Sequence, residues 1–240
     1  MERTDIYDAV WKRRSIRKYL DKGIEKDKID ALRRSISSLN EISGLTMEFI
    51  EDGDSFRSIK AIRFKNVRSV ISVKGKTNDP DLFEKCGYYG EQIVLEATAM
   101  GLGTCWVAVS FNGKSGTLKI KDDETIVCGI PIGYGDGEMT ISAGIPDVPP
   151  HRKTKSISEF LNGNTNVPEW VESAVKSVQF APTALNNQRT RFSYADEKLI
   201  AETPPGKLNM IDYGITKFHF ELAAGGKFPL GTPSEFERDQ

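Results

Sequence analysis

The chain begins its pattern twice. Ile29-Asp30 is matched by Val171-Glu172, and Arg34-Ser35-Ile36 by Lys176-Ser177-Val178, at one constant spacing. With a one-residue adjustment, Met47-Glu48-Phe49 is matched by Thr190-Arg191-Phe192, and Tyr89-Gly90 is echoed by Tyr213-Gly214, each pair opening a helix. A repeat constrains the fold strongly, because each copy carries an apolar face that needs cover and the other copy is shaped to provide it.

Hydrophobic periodicity supplies the elements. Ile6, Val10 and Trp11 share one helical face and run into a basic cluster; Ile29, Leu32 and Ile36 mark a second helix over about 25–39. Residues 46–50 and the β-branched run 67–73 read as strands. A long helix is expected over about 81–100, stopped by Gly101-Leu102-Gly103, with a strand at 125–130 and a proline-punctuated connection over 146–155. The second half reads as a helix over 168–180 broken at Ala181-Pro182, strands at 191–195 and 198–201, and a helix over 212–224 stopped by Gly225-Gly226. The polar tail beyond Phe228 is expected to be loosely ordered unless contacts hold it down.

With 240 residues the chain can bury a sizeable core. Its net charge of −1 gives no field to draw in nucleic acid or a membrane surface. No apolar run approaches the roughly 20 residues of a span, and no apolar signal region follows Met1-Glu2-Arg3-Thr4-Asp5. Cys86, Cys105 and Cys128 form no C-x-x-C pair and are odd in number, so they read as buried thiols rather than a zinc or disulfide framework. His151 and His219 are the only histidines, which argues against a His-based metal site or a Ser-His-Asp triad. The expectation is a cytoplasmic, metal-free protein.

Two distant segments carry the most chemistry. Lys12 to Lys18 holds five cations in seven positions with Ser15 among them, suited to a phosphate through charge-assisted hydrogen bonds or, equally, to a solvated helix face. Ala181-Pro182-Thr183-Ala184-Leu185-Asn186-Asn187-Gln188 ends a helix with a donor-less proline and then offers hydroxyl and amide groups, suited to a heterocycle edge or to an ordinary capped turn. The pair points to a pocket for a phosphorylated, planar, polar-edged cofactor. Gly101-Leu102-Gly103-Thr104-Cys105-Trp106 can admit a flat ligand or simply cap a helix beside a core tryptophan. Gly133-Tyr134-Gly135-Asp136-Gly137 is a turn, neither a Walker nor a Rossmann fingerprint. His151-Arg152-Lys153-Thr154-Lys155 is a second basic patch or a solvated linker.

In chain order, Arg13-Arg14-Ser15-Ile16-Arg17, Gly101 to Trp106, Cys128-Gly129-Ile130-Pro131-Ile132-Gly133-Tyr134-Gly135 and the terminal basic patch resemble the FMN-dependent nitroreductase family over about residues 7–160. The resemblance is nearest to its tandem-repeat "putative TM nitroreductase" branch. It implies an α+β fold with a mixed, mainly antiparallel sheet flanked by helices. Two half-repeats, 1–155 and 156–240, then form a single-chain pseudodimer that needs no second copy. The family's Pro-Ser-x-x-Asn-x-Gln motif is lost at Ser38-Leu39-Asn40-Glu41-Ile42-Ser43-Gly44 and kept, with Thr183 for serine, in the second half. The counterpart of the basic segment, Ser156 to Asn162, has no cation. The losses are complementary, which implies one composite flavin site and one erased site.

By the same resemblance, Arg13, Ser15 and Arg17 hold the FMN phosphate and ribityl chain with help from Arg14; Lys153 and Lys155, or Arg152 if the register shifts, form a second clamp. Pro182, Thr183, Ala184 and Asn186 lie against the ring from the other half, and Trp106, Ala108 and Val109 lie near its reactive edge. The implied activity is electron transfer from NAD(P)H to a nitroaromatic, quinone or similar small-molecule acceptor, with no catalytic side chain. A weakly active flavin-sequestering protein, or an interaction protein that keeps only the fold, are the alternatives.

Overall fold

The structure is a computed structural model and describes residues 2–51, 64–107, 120–137 and 153–239. The first half runs α1 (Arg3–Lys12), α2 (Lys26–Ser43), β1 (Glu48–Ile50), β2 (Ser69–Lys76), α3 (Leu82–Ala99), β3 (Gly103–Thr104) and β4 (Glu124–Gly133). The second runs α4 (Ile157–Phe160), α5 (Glu169–Val178), β5 (Arg191–Ala195), β6 (Lys198–Glu202), α6 (Lys207–Ala224), β7 (Gly226–Lys227), β8 (Ser234–Glu235) and β9 (Glu237–Arg238). The architecture is α+β. One sheet has the order β1-β2-β4-β3 and another β5-β6-β8, while β7 pairs with β9. Every ladder is antiparallel; among the described residues, parallel pairing occurs at the isolated bridges Ser15–Thr104 and Lys18–Lys65.

Matching positions of the two halves are buried in matching ways. Ile29, Leu32 and Ile36 form the inner face of α2, and Val171, Ala174 and Val178 that of α5. Phe49 sits opposite Ile71 in the first sheet, and Phe192 opposite Ala201 in the second. The halves interlock through α6, which gives Ile211 and Ile215 to one apolar core and Tyr213 and Phe220 to the other.

Helices α3 and α6 cross at two glycines. A Cβ on Gly87 would stand 2.0 Å from the carbonyl oxygen of Ile211, and one on Gly214 would stand 2.1 Å from that of Glu84. Residue 87 relates to 214 as 84 does to 211, so each glycine packs on the backbone of the other helix and the contact is reciprocal. The glycines of this crossing are Gly87 and Gly214, whereas the sequence echo sets Gly90 beside Gly214. Gly87 is the partner of Gly214, while Gly90 makes room for the Trp106 ring, 2.5 Å from where its Cβ would be.

Three other expectations change. Helix α2 runs past residue 39 to Ser43 and is ended by Gly44 at φ 74, a conformation glycine adopts without steric cost. Helix α6 starts at Lys207 rather than 212. The tail is held down: Phe228 and Phe236 are buried with ring centroids 4.9 Å apart, and β8 pairs with β6. Lys217 Nζ also donates to the carbonyls of Pro229 (2.8 Å) and Gly231 (3.0 Å).

Candidate functional site

The basic cluster leaves the helix it was expected to continue. Arg13 has φ −56 and ψ 131, and Arg14 closes the helix end by donating from Nη1 to the carbonyls of Trp11 (2.9 Å) and Arg13 (2.8 Å). Beyond it the chain is extended and stitched to the first sheet. Ile16 N donates to Thr104 O at 2.8 Å, Leu20 N to Tyr134 O at 2.8 Å, and Asp136 N to Lys18 O at 3.0 Å. The Tyr19 hydroxyl lies 2.8 Å from Ile16 O and 3.1 Å from Pro131 O. Two glycines explain the closeness: a Cβ on Gly103 would be 2.7 Å from the Ile16 side chain, and one on Gly133 would be 3.2 Å from the Tyr19 ring. The glycine-rich segments thus admit the extended basic segment itself.

Arg13 is the decisive side chain. It is 5% exposed, the Glu91 carboxylate stands 3.8 Å from its Nε, and among the described residues that Nε has no hydrogen-bond partner. Burial pushes its guanidinium below the usual arginine range, and Arg14 is lowered by burial and by Arg13. Across the bridge from Ser15, Thr104 Oγ1 is also buried without a partner. Ser15 contacts the Cys105 thiol, which burial raises and which lies near Arg17 and Arg13. Arg17 is exposed. Trp106 is fixed by its indole N–H, which donates to Glu91 Oε2 at 2.7 Å.

The amide-bearing turn is fastened into the fold by its own polar groups. A single 3₁₀ turn, Ala184–Asn186, follows α5, with Leu185 at φ 53, Asn186 at φ 56 and Gln188 at φ 48. Bulky residues avoid this region, yet Leu185 is 92% exposed there. Ala184 N donates to both Asp212 carboxylate oxygens, at 2.9 and 3.0 Å, and Thr183 Oγ1 accepts from Gln188 N at 3.2 Å. Asn186 Nδ2 donates to Lys153 O at 2.6 Å, and Gln188 Nε2 donates to Asn186 Oδ1 at 2.9 Å. Gln188 Oε1 accepts from Lys155 N at 2.9 Å, and Lys155 Nζ donates to Gln188 O at 2.8 Å. The structure therefore joins Lys153 and Lys155 to the turn, whose amides grip that extended stretch. Burial, with Arg191 close by, lowers the Lys155 ammonium.

The stretches of chain that lead into Arg13 and Pro182 meet. The Trp11 ring, before Arg13, packs edge-on against Phe180, before Pro182, at 4.8 Å. Gln179 Nε2 donates to Lys155 O at 2.8 Å. Ala108, Val109 and Arg152 lie outside the described residues. The stretch that lost the amide motif, Ser38 to Ser43, is simply helical, and its Asn40 amide exchanges two 2.9 Å hydrogen bonds with the backbone of Met47. Sequence reasoning missed Glu91, His219, Thr104 and Asp212, whose partners lie far away along the chain. A cavity of about 430 Å³ lined by Arg189, Arg191, Glu202, Thr203 and Pro204 at the β5–β6 hairpin contains none of the expected residues.

The sequence matches the family described as Putative TM nitroreductase over residues 5–224. The chain belongs to that family. Among solved structures it is similar to a putative nitroreductase from Thermotoga maritima, with 21% identity, 98% of this chain and 94% of that chain covered, and a TM-score of 0.67. It is also similar to a nitroreductase with bound FMN from Bacteroides fragilis, with 12% identity, 68% and 98% coverage and a TM-score of 0.51. A putative NADH dehydrogenase/NAD(P)H nitroreductase from Parabacteroides distasonis shares 23% identity over 64% of this chain and 95% of its own, with a TM-score of 0.50. At these identities the structures establish the nitroreductase fold. Comparison with curated proteins gives no match. Among the described residues no helix is long and apolar enough to cross a membrane.

Proposed function

We propose that this nitroreductase-family oxidoreductase binds one FMN per chain and uses NAD(P)H. The observation that carries the reading is Arg13: a buried guanidinium whose Nε has no hydrogen-bond partner, close to Ser15 and to the unpartnered Thr104 Oγ1. A buried cation with so little compensation favours an anion, and guanidinium and hydroxyl donors suit a phosphate. FMN held there would supply the redox chemistry between NAD(P)H and a nitroaromatic, quinone or similar acceptor.

The chain's own residues bind and orient. Arg13, Ser15 and Arg17 hold the phosphate end, and Arg14 fixes the helix end from which they project. Lys153 and Lys155 bring further positive charge to the turn from Pro182 to Asn186, which faces the ring from the second half. Trp106 is held by Glu91, whose other oxygen faces Arg13. No protein acid or base is required.

The reciprocal crossing at Gly87 and Gly214 supports reading 1–155 and 156–240 as the halves of a pseudodimer that works as a monomer. The buried free thiols Cys86, Cys105 and Cys128 suit a reducing cytoplasm. One observation favours a second reading, flavin sequestration with little turnover: the amides of Asn186 and Gln188 are already satisfied within the turn. Anaerobic addition of NADH or NADPH to the FMN-loaded protein separates the two. Bleaching of the flavin band, restored by a quinone, is expected; a band that persists supports sequestration.

A further inference from the structure

One carboxylate gathers the site. Glu91 of α3 is wholly buried, with Oε2 accepting from Trp106 and Oε1 facing both His219 Nε2 at 2.9 Å and Arg13 Nε at 3.8 Å. His219 of α6 is also wholly buried, and its Nδ1 lies 3.2 Å from the carbonyl oxygen of Ser177 on α5. Ser177 Oγ in turn donates to His219 O at 2.9 Å. Two α3 neighbours, Gly87 and Gly90, permit the close packing that brings α6 and Trp106 to this residue.

The proton count follows from these partners. A carbonyl oxygen has no proton to give, so Nδ1 must donate to it. A proton must also lie between Nε2 and Glu91, since two bare lone pairs would repel. Whichever atom holds that second proton, glutamate and histidine together are neutral. Arg13 then keeps its full charge, although a carboxylate stands nearby. Arg14 and Arg17 add to that positive potential, and the Cys105 thiol, raised by burial, adds no negative charge.

We propose that His219 is a positioning residue that neutralises Glu91, so that Glu91 can orient Arg13 and Trp106 without claiming the charge of Arg13 from an anionic ligand. The proposal rests on the flavin reading for the identity of that anion, FMN phosphate, but not for the proton count. His219→Gln keeps a side chain that can hydrogen-bond yet leaves Glu91 ionised against Arg13. Glu91→Gln keeps an acceptor for Trp106 and removes the charge. In the double variant neither charge remains, and Arg13 is again free to serve the ligand.

The test titrates FMN and riboflavin into wild type, H219Q, E91Q and E91Q/H219Q. H219Q is expected to lose about tenfold or more in FMN affinity, with little change for riboflavin, which lacks the phosphate. The double variant is expected to recover most of that loss, a coupling that a merely structural role would not produce. An H219Q variant that binds FMN like wild type, or a double variant no better than H219Q, overturns the proposal. Nitrogen-15 NMR of the ligand-free wild type reads the protons directly and covers the case of a variant that does not fold. A protonated His219 Nδ1 is expected; a bare Nδ1 overturns the proposal. Wild type that binds no FMN refutes the flavin reading instead, and the NMR result then stands alone on the proton count.

Discussion

The crossing of α3 and α6 can be tested by one methyl group. In Gly87→Ala the new Cβ would stand 2.0 Å from the carbonyl oxygen of Ile211, where real contacts stay beyond 3.0 Å. The obstacle is backbone, so α6 must retreat by about 1 Å or more in a close-packed interior. Overpacking of this kind costs up to about 3 kcal/mol, offset by about 1 kcal/mol of helix propensity gained over glycine. The net loss of about 2 kcal/mol corresponds to a fall in Tm of about 4–8 °C for a chain of this size. Gly214→Ala meets Glu84 O at 2.1 Å and should behave alike. Because either methyl parts the same two helices, the double variant should lose less than the sum. Gly23→Ala, with nothing within 4 Å of its Cβ, is the control. Thermal unfolding of all four proteins decides it. A Gly87→Ala protein that melts with wild type, or strictly additive losses, would refute the reciprocal crossing.

Other predictions follow from the buried charges. Burial raises the Glu221 carboxyl to about 7, while Tyr88 and Phe228 N donate to it. A carboxyl whose folded value lies above its unfolded one costs stability as pH rises between the two, here from about 4.5 to about 7. Glu221→Gln should therefore stabilise the protein more at pH 8 than at pH 5 in paired melts; an equal effect at both would count against it. Lys217 is 2% exposed, ion-paired with Glu84 and bonded to two tail carbonyls. Lys217→Met strands Glu84, so a loss of about 3–5 kcal/mol is expected, with faster proteolysis after Phe228; an unchanged cleavage pattern would show that other contacts hold the tail.

Elements whose signal is local were legible in the sequence. The apolar stripe of α2, the β-branched run of β2 and the hairpin of β5 and β6 lie close to where periodicity places them. Features decided by distant partners were not. The basic cluster reads as helix because nothing local shows that Gly103 and Gly133 make room for it as an extended segment. The tail reads as loose because its anchors, Phe228 and Phe236, are lone aromatics among polar residues, and Lys217, which bonds the Pro229 and Gly231 carbonyls, looks like a surface lysine. Those two aromatics were the available signal. Glu91 and His219 resemble ordinary helix polar residues, and only the packing of α3 on α6 turns them into a pair. The turn after Pro182 lies where the sequence places it, and its Asn186 and Gln188 amides bond to each other and to the Lys153 carbonyl.

The claim at the centre of the account is a single composite flavin site in a chain that has lost its second. Titration of the purified protein with FMN, followed by flavin fluorescence to a stoichiometric endpoint, tests it most directly. One FMN per chain is expected, weakened by Arg13→Ala and indifferent to Asn40→Ala. Two per chain would contradict the loss of the second site, and no binding at all would contradict the first.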